Sequence, residues 1–388
     1  VSSLTRPHLA EPGRWSESLP VWVLSVVGML AALFPAFLRI APNRLLTGEA
    51  IRPQAWPLAL AWLAIAVCTA LPARIARPVV TTLAWLVVCS LPLLAGVDAG
   101  IALSEASAFS VRAQLGAGFW LMWLAAALLL LDRLRGMRVP TRTALWVAVL
   151  AVLGGCAWVG VFDALGLVRE WRAQRVPFAL ATVEHLRLAA VTLVLALLVG
   201  APLGWWVWRR RRSDGLLVGV LAFLQTVPSL ALFALLIGPF AWLAHQWPAL
   251  GSLGFGGTGA APAVFALVLY ALLPVVRYTV AGLDAVPSDA REAARGLGMS
   301  RAQLLWRVQL PLGWPVLLAG LRIVAVQTVG LAAVAALIGA GGLGRFVFLG
   351  IGQGAIDMVL LGTLAIIALA LAIDFLFQGA LALTERAP

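Results

Sequence analysis

Residues 262–338 decide the fold: PAVFALVLYALLPVVRYTVAG (262–282), then LDAVPSDAREAARGLGMSRAQLLWRVQLPLGW (283–314), then PVLLAGLRIVAVQTVGLAAVAALI (315–338). The outer runs are continuously apolar, and each has the roughly 20 residues that a helix needs to cross a hydrocarbon core. A barrel strand would alternate with period two, and neither run does. The polar stretch between them reads as two short helices. Asp289 with Glu292, and Ser300 with Gln303, each form a capping-box pattern. Gly296 and Gly298 permit a turn between the helices, and Pro311 closes the second one before the chain re-enters the bilayer.

The same reading extends over the whole chain. Of 388 residues, 62% are hydrophobic and 11% are charged, and the mean hydropathy is +1.00. A soluble domain carries charge on roughly a quarter of its residues, so a large soluble enzyme, a disordered chain and a disulfide scaffold are excluded. About ten apolar runs have spanning length: 21–38, 56–72, 79–97, 116–131, 144–162, 187–208, 215–238, 262–282, 315–338 and 356–377. The expected fold class is therefore all-α, a polytopic membrane helix bundle. The leader VSSLTRPHLAEPGRWSESLP has no small-residue cleavage site behind it, so the first run is expected to be a retained span rather than a removed signal peptide.

All 28 basic residues are Arg, against 16 acidic ones, giving a formal net charge of +12. Under the positive-inside rule their placement orients the chain. Most fall in one alternate set of connections, including Arg133, Arg135, Arg138, Arg142, Arg209 to Arg212, Arg291, Arg295, Arg301 and Arg307. That set is assigned to the cytoplasm, together with both termini. The loop after the first run carries Arg39, Arg44 and Arg52 on the expected outside. No basic face interleaved with stacking aromatics points to a nucleic-acid partner. Cys68, Cys89 and Cys156 lie in apolar runs and read as small hydrophobes. His8, His185 and His245 lack ligand spacing, so neither a metal site nor a cofactor is expected. The chain has no Lys and no GxxxxGK[ST], so an ATP site must lie in another protein. Gly339-Ala340-Gly341-Gly342-Leu343-Gly344 matches GxGxxG but lacks the strand–turn–helix setting of a dinucleotide site.

The polar loop carries a specific resemblance. Glu292-Ala293-Ala294, three residues, Gly298, nine residues, then Val308-Gln309-Leu310-Pro311 resembles the EAA loop of permease subunits of binding-protein-dependent ABC importers, with Val308 in place of Ile. The likeness covers residues 182–379, taken as a type I permease core with its coupling loop at 284–311. Residues 1–165 are taken as an N-terminal extension of about five spans. The segments QTVPSLAL (225–232), LYALLPVVR (269–277) and AALIGAGGLG (335–344) resemble the osmoprotectant branch, which handles glycine betaine and choline, and the long N-terminal half resembles its YehY type. Pro239–Ala261 is longer than the short turn expected of that branch.

The resemblance implies a cytoplasmic ABC ATPase dimer that binds the ATP and docks on Glu292, Ala293, Ala294, Gly298, Val308, Leu310 and Pro311. It also implies a second permease subunit of a different chain, a periplasmic or lipid-tethered binding protein, and a place in the bacterial inner membrane. The chain itself would be non-catalytic. On residue type, Leu304, Leu305, Trp306 and Val308 suit anchoring of the second helix, while Arg291, Arg295, Arg301 and Arg307 fit a lipid-headgroup face as well as a protein contact. Gln225, Thr226, Pro228 and Ser229 in the seventh run, and Gln327 and Thr328 in the ninth, are candidates for a gate or translocation path; a structural kink is the competing reading. Arg322 is expected to snorkel to the cytoplasmic face, and Asp357 and Asp374 to be interfacial. The loop does not separate osmoprotectants from amino acids or sulfonates. An ion-coupled secondary transporter would call for a midplane acid or paired broken helices, and an intramembrane enzyme for a His or acid cluster.

Overall fold

The computed structural model describes residues 14–384 except 44–45, 47, 53–54, 106–109, 136, 211–214 and 253–254. The first thirteen residues of the leader and Arg44, Arg211, Arg212 and Arg386 thus lie outside the described residues. The helices are α1 (Arg14–Leu33), α2 (Ala55–Cys68), α3 (Ala73–Ser104), α4 (Ala117–Leu134), α5 (Val139–Trp158), α6 (Gly166–Ala173), α7 (Arg175–Arg210) and α8 (Gly215–Thr226). Then follow α9 (Ser229–Gln246), α10 (Pro248–Ser252), α11 (Ala260–Asp284), α12 (Ser288–Gly296), α13 (Arg301–Leu304), α14 (Leu310–Ala332), α15 (Gly344–Gln353) and α16 (Ile356–Thr384). Among the described residues, 8 helices are long and apolar enough to cross a membrane, and Leu19–Leu33, Ala55–Cys68 and Gly215–Thr226 are shorter apolar helices. Helix covers most of each expected apolar run, but the ten expected spans are not all of spanning length: the first run leaves its helix at Leu33 and ends in a strand at Leu38, and the first two runs form only the shorter apolar helices. The seventh, however, is split into α8 and α9 at Val227-Pro228, because Pro228 lacks the N–H that would continue the ladder.

The chain divides into two compact units, Val1–Ala173 with Gln353–Asp357, and Gln174–Gly352 with Met358–Pro388. In the N-terminal unit α1 packs on α2 and α4, and α3 packs on α4 and α5. Its core holds Trp62, Leu38, Met122, Leu129 and Leu130, all buried. Between the helices lies a small antiparallel sheet of β1 (Leu38–Ala41), β2 (Glu49–Ile51) and β3 (Arg112–Leu115), ordered β2-β1-β3. Leu38 faces Ile51 on one side and Leu115 on the other. This sheet lies in the connections rather than the spans.

In the sheet region Arg52, which charge counting assigns to the outside, is bonded within this unit, as are Arg112, Arg169 and Arg172. Arg112 Nη1 meets Glu170 Oε2 at 2.8 Å, Arg169 Nη1 donates to the Val111 carbonyl at 3.1 Å, Arg52 Nε donates to the Pro35 carbonyl at 3.3 Å, and Arg172 pairs with Asp163. Their charge serves internal bonds of this unit. Asp357 is also buried in this unit, within the electrostatic reach of Arg112 and Glu170.

The centre of the C-terminal unit is α7, α11 and α14. Thr192, Ala196, Gly200 and Gly204 recur every fourth residue on one buried stripe of α7. Small residues at that spacing let backbones approach in a bilayer, where apolar bulk alone does not drive association. Val275 and Thr279 of α11 fill the space beside Gly200 and Gly204.

Candidate functional site

The polar loop forms two helical pieces within the C-terminal unit. α12 begins at Ser288 behind Pro287, which occupies the cap position without a side-chain hydrogen bond. The first expected capping box is therefore not made. Asp289 instead sits inside the first turn, where its charge complements the helix dipole. The second box forms fully: Ser300 Oγ accepts the Gln303 N–H at 3.3 Å, and Gln303 Oε1 accepts the Ser300 N–H at 2.8 Å.

Gly298 makes the turn. Its φ is +76°, and its N–H and that of Met299 donate to the carbonyls of Arg295 (2.9 Å) and Ala294 (3.2 Å). That double bond pattern is a Schellman ending, and the left-handed residue in it is favourable chiefly for glycine. Gly296 is the last residue of α12 and takes no positive φ.

Pro311 does not end the second helix. α13 passes through a π-helical turn, Leu305–Gln309, directly into α14, and Pro311 lies in the first turn of α14. The Leu310 N–H reaches back to Leu305, five residues away. A π-turn inserts one extra residue, which gives a proline ring room where an α-turn would crowd it. The loop is thus mechanically continuous with a membrane helix.

Glu292, Ala293 and Gly298 are exposed, Ala294 is buried, Val308 and Leu310 are half-buried and Pro311 is exposed. Leu304 anchors inward, but Trp306 is 69% exposed and Leu297 79%. Trp306 therefore joins the free face of the loop rather than its anchor.

The seventh run places its polar residues at the break between α8 and α9. Pro274 removes the N–H that would bond the Tyr270 carbonyl four residues earlier, and Gln225 Nε2 donates to that carbonyl at 2.8 Å. In return, Tyr270 Oη donates to the Val227 carbonyl at the Pro228 break. One reciprocal clasp thereby serves the carbonyl freed by Pro274 and ties α11 to the chain at the Pro228 break. Thr226 Oγ1 donates to the Phe223 carbonyl at 2.7 Å, and Thr328 Oγ1 to the Val324 carbonyl at 2.7 Å. Ser229 is half-buried and Gln327 exposed. Tyr270 was the member of this group with the least polar signature, yet Pro274 four residues on signals a carbonyl in need of a donor.

Two further polar contacts depart from expectation. Arg322 has a partner that the sequence did not suggest: its Nε and Nη2 bond Asp374 Oδ1 and Oδ2 at 2.5 and 2.9 Å, and Gln378 Nε2 adds a bond to Asp374 at 2.6 Å. A lone guanidinium beside lipid is costly, and a bidentate carboxylate neutralises it in place. The glycine-rich segment 339–344 turns over α7. Gly341 and Gly342 have φ of +81° and +77°, and Glu184 Oε2 accepts from the Gly342 N–H at 3.0 Å and from Arg345 Nη2 at 3.3 Å. The anion-cradling backbone that the motif suggests is filled by the protein's own carboxylate.

Known proteins resemble this chain in sequence. A family model described as "Binding-protein-dependent transport system inner membrane component" matches residues 192–386, and one described as "ABC transporter permease YehY, N-terminal domain" matches residues 17–168. The chain is 40% identical to the osmoprotectant import permease protein OsmW of Salmonella typhimurium over 197 residues, 51% of this chain and 86% of that protein. It is 34% identical to the choline transport system permease protein OpuBB of Bacillus subtilis over 205 residues, 53% of this chain and 85% of that protein. A solved structure of the MetNI methionine ABC transporter in inward-facing conformations aligns at 20% identity and a TM-score of 0.48, covering 55% of this chain and 99% of that one. Since the matched residues 192–386 take in the loop and both membrane helices flanking it, the chain belongs to the inner membrane components of binding-protein-dependent transport systems, the permeases of ABC importers.

Proposed function

We propose that the chain carries a quaternary-amine osmoprotectant, such as glycine betaine or choline, across the inner membrane as the non-catalytic permease of an ABC importer. The observation that carries the reading is the continuity of the coupling loop with α14: motion imposed on α12 reaches the bilayer through one helical rod. The substrate class rests on the relatives, which are named for osmoprotectant and choline import.

In this reading an ATPase dimer binds and hydrolyses the ATP. It seats on Glu292, Ala293, Ala294 and Gly298, while Val308, Leu310 and Pro311 pass its closure into α14. A second permease, a different chain, completes the channel, and a periplasmic or tethered binding protein delivers solute. Gln225 and Pro228 shape the hinge of the path, Thr226, Ser229 and Gln327 face it, and Thr328 stiffens α14. Both termini are cytoplasmic, and residues 1–165 extend a core at 182–379. Alternating access then follows from ATP-driven exchange between two packings of the bundle.

The test is reconstitution with the ATPase, the partner permease and the binding protein, with ATP hydrolysis measured against betaine, choline, amino acids and sulfonates. Stimulation by betaine or choline is expected. Stimulation by an amino acid or sulfonate alone would replace the substrate class while leaving the importer reading intact.

A further inference from the structure

At the foot of α7 the C-terminal unit has an open cavity of about 580 Å³ against the polar loop. Its walls include Arg209, Arg291, Arg295 and Arg301, with Glu292 as the one carboxylate among its lining residues. None of these four guanidinium groups is in an ion pair among the described residues; Arg209 lies over the Trp205 ring, 4.8 Å from its centroid. Gln309 lines the same cavity, is only 3% exposed, and its Nε2 has no hydrogen-bond partner among the described residues. A buried donor left unpaired is unfavourable, and several like charges around one space repel until an anion enters.

We propose that this cavity binds a phosphate-bearing anion, the headgroup of an anionic phospholipid in the leaflet it faces. Guanidinium forks match phosphate oxygens in pairs, and an amide N–H completes such a shell. The lipid source follows from position. The cavity opens beside Trp205 and Trp208, which end the apolar run of α7, and tryptophans gather at headgroup depth. Trp208 Nε1 donates to Asp284 Oδ1 at 2.9 Å, which fixes that wall. A headgroup seated there bridges α7 to α12 and holds the loop against the membrane. Anion binding in this cavity does not depend on which solute is carried.

The test uses the full chain in nanodiscs of mixed phosphatidylglycerol and phosphatidylcholine, with retained lipid counted by native mass spectrometry. Preferential retention of phosphatidylglycerol is expected. Neutralising one cavity arginine, Arg295→Gln or Arg301→Gln, should weaken it about fivefold, and Gln309→Leu should weaken it as well. Arg307→Gln removes the same charge from an exposed position on the same loop, outside the cavity, and should leave retention unchanged. Equal loss in Arg307→Gln, or no preference over phosphatidylcholine, would overturn the proposal. Thermal protection by inorganic phosphate equal to that by phosphatidylglycerol would assign the cavity to a soluble anion and overturn the lipid source. Should Gln309→Leu fail to insert, the two arginine variants decide.

Discussion

Gly298 separates two effects that a single substitution usually confounds. A Cβ added there meets nothing within 4 Å, so the cost of a side chain lies in the left-handed backbone alone, about 1–2 kcal/mol. Asp and Asn tolerate that region best. Gly298→Asp should therefore insert and unfold within about 1 kcal/mol of the native chain, while substrate-stimulated ATP hydrolysis collapses because the exposed turn now carries bulk and charge. Full hydrolysis and uptake in that variant would refute the docking role of the loop. The glycine itself was readable from the sequence, since a turn between two helical pieces needs one. That Gly298 makes the turn and Gly296 does not became visible only with φ and the two hydrogen bonds of the Schellman ending. The clasp of Gln225 and Tyr270 has the same character. Pro274 announces an orphaned carbonyl at Tyr270, but which donor comes to it depends on how two distant helices lie together.

At the scale of elements, the loop and α14 form one lever. The sequence suggested that Pro311 breaks it, whereas the π-turn at Leu305–Gln309 absorbs the proline. Local pattern could not reveal this, because a π-turn gains its extra residue from register rather than from composition. Further along the same helix, Arg322 and Asp374 tie α14 to α16. Removing one partner leaves the other as an unpaired charge, so Asp374→Leu should lower thermal stability. Replacing both residues by leucine should recover most of that loss, as measured by unfolding in detergent. A double variant as unstable as the single one would mean that the pair contributes specific structure beyond mutual neutralisation. The two residues are 52 positions apart, and each alone resembles an ordinary interfacial charge.

For the whole molecule, the two units bury separate cores, one around Trp62 and Met122, the other around the small-residue stripe of α7. Deleting residues 1–173 leaves α7 to α16 complete, and the remainder should insert and still co-purify with the ATPase. Loss of that association from a stably inserted remainder would show that the extension takes part in coupling. The truncation also strips Arg112 and Glu170 from around Asp357, so the connection Gln353–Asp357 should gain hydrogen exchange. The sequence by itself determined the membrane setting, most of the helical segments and the two-piece polar loop between α11 and α14, because continuous apolar runs and turn glycines act locally along the chain. It also placed the scarce charge that identifies the protein. The tertiary structure decided where that charge is spent: in the Arg322–Asp374 pair, in the Arg112–Glu170 bond, on the glycine cradle of Glu184, and in a cavity whose four arginines remain outside any described ion pair. A buried or membrane-facing charge takes its free energy from whichever partner lies within a few ångströms, and helix packing alone sets that distance.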